Sequence, residues 1–293
     1  MLPDGRRLGA HLALGHGMVR AAERARTIGA RTIQVFTDNP TAWRRRETLP
    51  RELPAFRQIL READITPLSV HAPYLVNLAG DDPLVTERSC AVLTRELEVG
   101  AAYGAAFVNV HIGSHRGAGV QLGVRRVAEN VARALAAARP DGPPPRLVLE
   151  NSSGGGFGLG ATVDELAGID AALAAAGVDP GRVGWCLDAA HAWGAGIDVG
   201  TALGVDALVA ELDVRLGLDR LVMVHLNDSR SERGSRSDRH EHLGAGRIGI
   251  EGLRRILTHP ALGHVAYVLE TPGMDEGYDA VNLDRARRLA EGL

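Results

Sequence analysis

Between residues 237 and 244 the chain reads S-D-R-H-E-H-L-G, two carboxylates and two imidazoles in a loop otherwise made of Ser, Arg, Leu and Gly. Imidazole nitrogen beside carboxylate oxygen is the donor set of zinc or manganese, whereas magnesium and calcium prefer oxygen alone. Taken by itself the loop reads as a salt-bridged surface segment. Six further residues change that reading: His71, His111, Glu150, Asp188, His225 and Glu270 each stand at or beside the end of a short apolar run. Unpaired in a partly buried bowl, they would carry a heavy desolvation and repulsion cost, and divalent cations offset such a cost. His191 follows Asp188 in C-L-D-A-A-H and joins Asp238 and His240 as a nearby donor.

Those apolar runs are candidate strands at 8–14, 32–37, 67–71, 107–111, 146–151, 183–188, 221–226 and 265–270. Stretches of helical period lie between them, at 18–28, 51–63, 83–102, 119–138, 163–175, 205–215, 251–258 and 281–292. The fifth opens on a T-x-x-E capping box, Thr162 and Glu165. Eight alternating units over residues 1–293, with no linker dividing them, predict one α/β domain, a (β/α)8 TIM barrel. A doubly wound open sheet is the runner-up. In a parallel barrel all strand ends meet on one face, so residues remote in sequence share one bowl.

Composition sets the limits. With 45% hydrophobic and 24% charged residues the chain is an ordinary globular protein, and no stretch approaches the roughly 20 apolar residues of a membrane span. A cytoplasmic enzyme with no membrane partner, acting as a monomer, is the expectation. Cys90 and Cys186 are too few for a disulfide framework and read as buried small hydrophobes. All 33 basic residues are arginines, so no lysine is present for Schiff-base chemistry. The formal charge of −3 argues weakly against nucleic acid.

Several blocks carry a resemblance: H-A-P-Y-L-V-N-L-A (71–79), V-H-I-G-S-H (110–115), L-E-N (149–151), C-L-D-A-A-H-A-W-G-A-G (186–196), H-L-N-D-S (225–229), D-R-H-E-H-L-G-A-G-R-I-G (238–249) and L-E-T (269–271). Together, from G-A-H at 9–11 to the last strand, the chain resembles the endonuclease IV family of zinc-dependent abasic-site DNA repair enzymes. The resemblance implies a TIM barrel holding three Zn2+, with Mn2+ as a partial substitute. Glu150 would bridge two metals and be the catalytic carboxylate; His71 and His111 would complete one site, Asp188, His225 and Glu270 the other. His191, Asp238 and His240 would hold the third, while Glu241 and His242 would support or lie at the surface. A metal-bridging hydroxide would attack the phosphorus 5′ to the abasic sugar, leaving 3′-hydroxyl and 5′-deoxyribose phosphate. Three divalent cations would turn −3 into +3, and the positive field would sit in the bowl.

The partner implied is double-stranded DNA containing abasic sites. Arg44, Arg45 and Arg46, beside Trp43 and Asn39 after the second strand, resemble a DNA-reading loop, a basic run next to an aromatic. Tyr74 and Asn77 are further DNA-binding candidates. The sequence departs from the family at Asp38, where a basic residue is common, in E-N-S-S-G-G-G-F-G (150–158) and in A-L-G-H-G-M (13–18). A metal-dependent sugar isomerase or epimerase of the xylose-isomerase-like barrels is the rival reading, since it needs only the strand-end cluster. A non-catalytic DNA-binding protein is the other, and would be expected to have lost ligands; none is missing.

Overall fold

A computed structural model describes residue 2, residues 4–273 and residues 276–293. Parallel strands β1 (Arg7–His11), β2 (Ile33–Val35), β3 (Leu68–His71), β4 (Phe107–His111), β5 (Arg146–Glu150), β6 (Val183–Asp188) and β7 (Leu221–His225) pair in succession. A two-stranded antiparallel ribbon, β8 (Asp228–Ser229) and β9 (His240–Glu241), follows, and β10 (Ala266–Leu269) closes the barrel between β7 and β1. Helices α1 (Met18–Thr27), α2 (Leu53–Glu62), α3 (Pro83–Tyr103), α4 (Val120–Ala137), α5 (Val163–Ala175), α7 (Ala202–Leu216), α8 (Ile250–Thr258) and α9 (Tyr278–Glu291) form the outer layer; a short α6 (Ala189–Ala195) lies directly after β6. The fold is the expected (β/α)8 barrel, not the open sheet. Among the described residues no helix is long and apolar enough to cross a membrane.

Alternation along the strands decides what faces where. Leu147, Leu149, Trp185, Leu187 and Val224 join the large apolar cluster shared with the helices. Val148, Cys186, Met223 and Val268 form a separate small cluster, the plug inside the barrel. Two residues beyond each of these four come Glu150, Asp188, His225 and Glu270. Period two therefore lifts the polar residues onto the same inward face as the plug, one layer nearer the C-terminal ends. Adjacent registers keep them side by side, with His111 opposite Glu150 and Asp188 opposite His225.

Several local expectations are adjusted. Strand β1 ends at His11 rather than residue 14, and β2 has three residues. Thr162 Oγ1 does accept the Glu165 N–H at 3.2 Å, but the Glu165 carboxylate takes the N–H groups of Gly160 and Ala161 at 2.8 and 2.9 Å instead of closing the box on Thr162. Helix α6 was not anticipated: its seven residues are too few to show a period. It starts because Asp188 caps it, accepting the His191 N–H at 2.7 Å, and stops at Gly196, whose φ of 103° only glycine adopts readily.

The 242–248 turn is shaped by one buried carboxylate. Asp228 accepts the N–H groups of Gly244, Gly246 and Ile248, each at 3.0 Å, and of Ser229 at 2.8 Å. A Cβ on Gly246 would stand 2.4 Å from Asp228 Oδ1, so only glycine lets the backbone come that close. Asp228→Ala would leave these N–H groups without their acceptor in a buried setting. The expected cost is about 2–4 kcal/mol in denaturant unfolding. A loss below about 0.5 kcal/mol would show that the turn holds itself.

Candidate metal centre

Glu150 is wholly buried at the end of β5, and its two oxygens divide the imidazoles between them. Oε1 lies 3.5 Å from His111 Nε2 and 3.0 Å from His191 Nδ1. Oε2 lies 3.6 Å from His71 Nε2 and 3.5 Å from His225 Nδ1. His225 Nδ1 is also 3.2 Å from Glu270 Oε2 and 3.8 Å from Asp188 Oδ2. Beyond them, Asp238 spans two imidazoles, with Oδ2 3.2 Å from His191 Nε2 and Oδ1 3.1 Å from His240 Nε2. The barrel thus brings all nine metal candidates named from sequence into one cluster. Donor atoms of His71, His111 and Glu150, of Glu150, Asp188, His225 and Glu270, and of Asp188, His191 and His240 lie within 4.8 Å of one another in each group. Asp188 therefore faces both the second group and the third, rather than the second alone.

The imidazoles are held as ligands are. His71 Nδ1 donates to the carbonyl of Ala72 at 2.6 Å, His191 Nδ1 to that of Asn151 at 2.9 Å and His240 Nδ1 to that of Glu270 at 3.0 Å. His225 Nε2 donates to Gln34 Oε1 at 3.2 Å. Each bond engages one ring nitrogen and turns the other toward the carboxylates. Three of the atoms so aimed, Glu150 Oε1, His225 Nδ1 and His240 Nε2, are buried without a hydrogen-bond partner. Such orphans are costly in a finished interior, so this donor set fits divalent cations of the N/O-ligated kind.

Electrostatics say the same of the protein alone. Burial would raise the Glu150 carboxyl, but the facing His225, His111 and His191 hold it well below the carboxylate range. Burial would lower His191, but Asp188, Asp238 and Glu150 hold it well above the usual imidazole value. His240, opposed by burial and favoured by Asp188, Asp238 and Glu270, is pushed up to about 9. Without cations, protons on the imidazoles balance the carboxylates. Cys186 comes within reach of Glu150 and His225, but burial pushes its thiol up to about 12, and it packs with Val148, Met223 and Val268 as the small hydrophobe expected.

The positioning residues were not foreseen. His11 ends β1, pointing to Glu270 with Nδ1 3.5 Å from Oε1, and Gln34 donates to the same oxygen at 2.6 Å. The apolar Leu12 and Leu14 extend the strand pattern past His11 in the sequence, whereas β1 ends on His11. Asn109 donates to Glu150 Oε2. Asn227 donates to Asp188 Oδ2 at 2.6 Å and accepts the Glu270 N–H at 2.8 Å, and Asn151 accepts the Asp188 N–H at 2.6 Å. L-E-N and H-L-N-D-S contained two of these amides. Glu241 turns away to Arg230 at 3.0 Å, and His242 stacks on Tyr278 with ring centroids 4.8 Å apart.

The rim candidates separate into free and committed side chains. A cleft of about 430 Å³ over the cluster is lined by Trp43, Tyr74, His111, Glu150, His191 and Asp238, among others. Tyr74 is 54% exposed above His71 and His111, and Arg44 is exposed. Arg45 turns inward instead, 3.6 Å from the buried Glu96 carboxylate, and Arg46 pairs with Asp38 at 3.0 Å. Asn39 accepts the Thr41 N–H at 2.9 Å and so shapes the loop. Asn77 is buried, accepting the N–H groups of Ala79, Gly80 and Ser114 and donating to the Ser114 carbonyl. It ties two loops together.

Residues 22–293 match the xylose isomerase-like TIM barrel family. The probable endonuclease 4 of Methanoculleus marisnigri is 39% identical over 287 residues, covering 97% of this chain and 98% of that one. The probable endonuclease 4 of Halorhodospira halophila is 41% identical over 285 residues, covering 97% and 94%. The crystal structure of endonuclease IV from Thermus thermophilus superposes with a TM-score of 0.83 at 38% identity, covering 98% of this chain and all of that one (100%).

The raised imidazoles set a pH dependence for chelator-treated protein. His240 stands near 9 when folded against an ordinary 6.5, so its contribution is fully present below about 6.5 and is lost as pH rises through about 9. The unfolding temperature of chelator-treated protein should therefore fall across that window. Metal affinity should rise over the same range, because a bound cation must displace the proton. Chelator-treated protein that gains stability between pH 6.5 and 9 would contradict this assignment.

Proposed function

The chain belongs to the endonuclease IV family and is a nuclease, and on that premise we propose that it cleaves double-stranded DNA on the 5′ side of an abasic site, using zinc at three sites. The observation that carries this reading is the third donor group, His191, Asp238 and His240, which a sugar isomerase working from the strand-end cluster would not require. The retention of every candidate ligand also speaks against a non-catalytic DNA-binding role. In the reaction, water oxygen adds to phosphorus, the bond to the 3′ oxygen of the preceding nucleotide breaks, and that oxygen takes a proton. The products are a 3′-hydroxyl and a 5′-deoxyribose phosphate. Cations in the three donor groups would supply Lewis-acid stabilisation of phosphoryl charge and an acidified water.

The remaining work falls to the chain itself. Glu150, with imidazoles on both of its oxygens, is placed to bridge the first two groups, and Asn109 fixes its rotamer. Asp188 is placed between the second and third groups, held there by Asn151 and Asn227. Tyr74 and Trp43 offer an aromatic wall for a base-free sugar. Arg44 is exposed and available to meet a phosphate. The absence of lysine agrees with hydrolysis rather than a Schiff-base lyase route.

A duplex carrying one abasic analogue should be nicked 5′ to the lesion, and a strong chelator should stop the reaction. Glu150→Gln should lower cleavage by at least about a hundredfold while leaving duplex binding largely intact. Protein purified without chelator should hold close to three metals per chain, mostly zinc, and His240→Ala should lose roughly one of them, since a donor group reduced in number loses affinity steeply. A single metal in the parent protein, or full metal content and cleavage in His240→Ala, would bring the isomerase reading forward.

A further inference from the structure

Among the described residues four that are not glycine have positive φ: Asp64, Arg116, Phe157 and Arg236. Their φ values of 52°, 48°, 63° and 54° lie in the left-handed region, which costs conformational energy for any side chain and most for a bulky one. Asp64 sits after α2, at the opposite end of the barrel. The other three lie in the loops after β4, β5 and β7, at the C-terminal end of the barrel, and Arg116 lines the cleft itself. Those loops are stitched together: the His115 N–H donates to the Phe157 carbonyl at 3.2 Å, and Ser114 Oγ donates to the Gly156 carbonyl. A Cβ on Gly155 would stand 2.5 Å from the Arg236 carbonyl, so these backbones touch.

The side chains so presented share one character. Phe157 is 61% exposed, with its ring centroid 5.5 Å from the buried His115, so it stands outward on an anchored base. Arg116 and Arg236 are exposed on either side. Their neighbour Arg233 lies 3.5 Å from Asp198, but neither Arg116 nor Arg236 has a carboxylate within 4.0 Å among the described residues. Arg116, Gly155 and Gly158 line the same cleft as Trp43 and Tyr74. Strain, exposure of a large apolar ring and two unpaired cations coincide at one place, and none of the three serves the apolar core. Backbone strain of this kind gathers at functional sites.

We propose that Arg116, Phe157 and Arg236 form a second nucleic-acid contact strip, continuing from the cleft lining at Arg116 onto the rim, in which the two guanidiniums meet backbone phosphates and the Phe157 ring packs on an unstacked base or sugar. Cation–aromatic–cation is the pattern that grips an anionic backbone with exposed bases and has no use for a neutral sugar. The strip deepens the nuclease reading and rests on it.

Glycine at each position tests the strip, because it removes the side chain and relieves the left-handed backbone at once. Unfolding temperatures of Arg116→Gly, Phe157→Gly and Arg236→Gly should equal or exceed the parent's. Binding of zinc-loaded protein to a fluorescent duplex, read by anisotropy over a range of salt, needs no cleavage. Each arginine variant should lower the slope of log affinity against log salt by about one unit. Phe157→Gly should weaken binding at least about fivefold with the slope unchanged. Parent-like affinity and slope in all three variants, or a fall in unfolding temperature without weaker binding, overturns the strip. A parent that fails to nick the abasic duplex overturns the nuclease reading instead, and the binding slopes still decide whether the strip meets nucleic acid.

Discussion

Everything at the C-terminal end of this barrel turns on one buried carboxylate. Glu150 is fully buried, and four imidazoles surround its two oxygens at 3.0–3.6 Å. A buried charge must be paired or coordinated, and every neighbouring element is arranged accordingly. Strands β3, β4 and β7 end on His71, His111 and His225, and the cap of α6 brings His191 to the same oxygens. Beneath, the plug of Val148, Cys186, Met223 and Val268 excludes water from below, which strengthens each of these interactions. The apolar plug and the charged layer are one construction, separated by a single step of the strand period.

That period explains what could be read from the sequence. His71, His111, Glu150, Asp188 and His225 close runs of Val, Leu and Ile long enough to mark a strand end, and parallel topology then dictates that they meet. His11 also ends its strand but is followed by an apolar continuation, L-A-L, that is loop, whereas Gln34 sits in the middle of a strand of only three residues. The amides that orient the ligands carry no pattern of their own. Asn109, Asn151 and Asn227 become visible only when the partner carboxylates are in place.

Loops were legible in kind but not in use. Arg45 and Asn77 are residue types suited to phosphate and base, yet Arg45 is drawn inward by the buried Glu96, which Thr37 also holds at 2.6 Å. Burial pushes Glu96 up to about 7, and only the adjacent guanidinium and hydroxyl make its ionised form tolerable there. Side-chain type gives a vocabulary of contacts, while local partners decide which remain available. By the same reasoning Phe157, plain in the sequence as one residue in a glycine-rich loop, gains meaning only from its backbone angle and exposure.

The third donor group is carried by segments outside the eight strands of the barrel. His191 is supplied by α6, and Asp238 and His240 by the β8–β9 ribbon, whose return is fixed by Asp228 and by glycines that allow close backbone approach. None of these pieces belongs to the eight-strand framework, so each could change with little effect on the barrel core. Asp188 links the two: it ends β6, caps α6 and faces donors of both the strand-end cluster and the added one. A substitution at Asp188 would therefore disturb framework, helix and donor geometry together, whereas a change at His240 removes a donor without removing a strand end or a helix cap. The barrel fixes where chemistry can occur, and the loop-borne donors determine which chemistry it is.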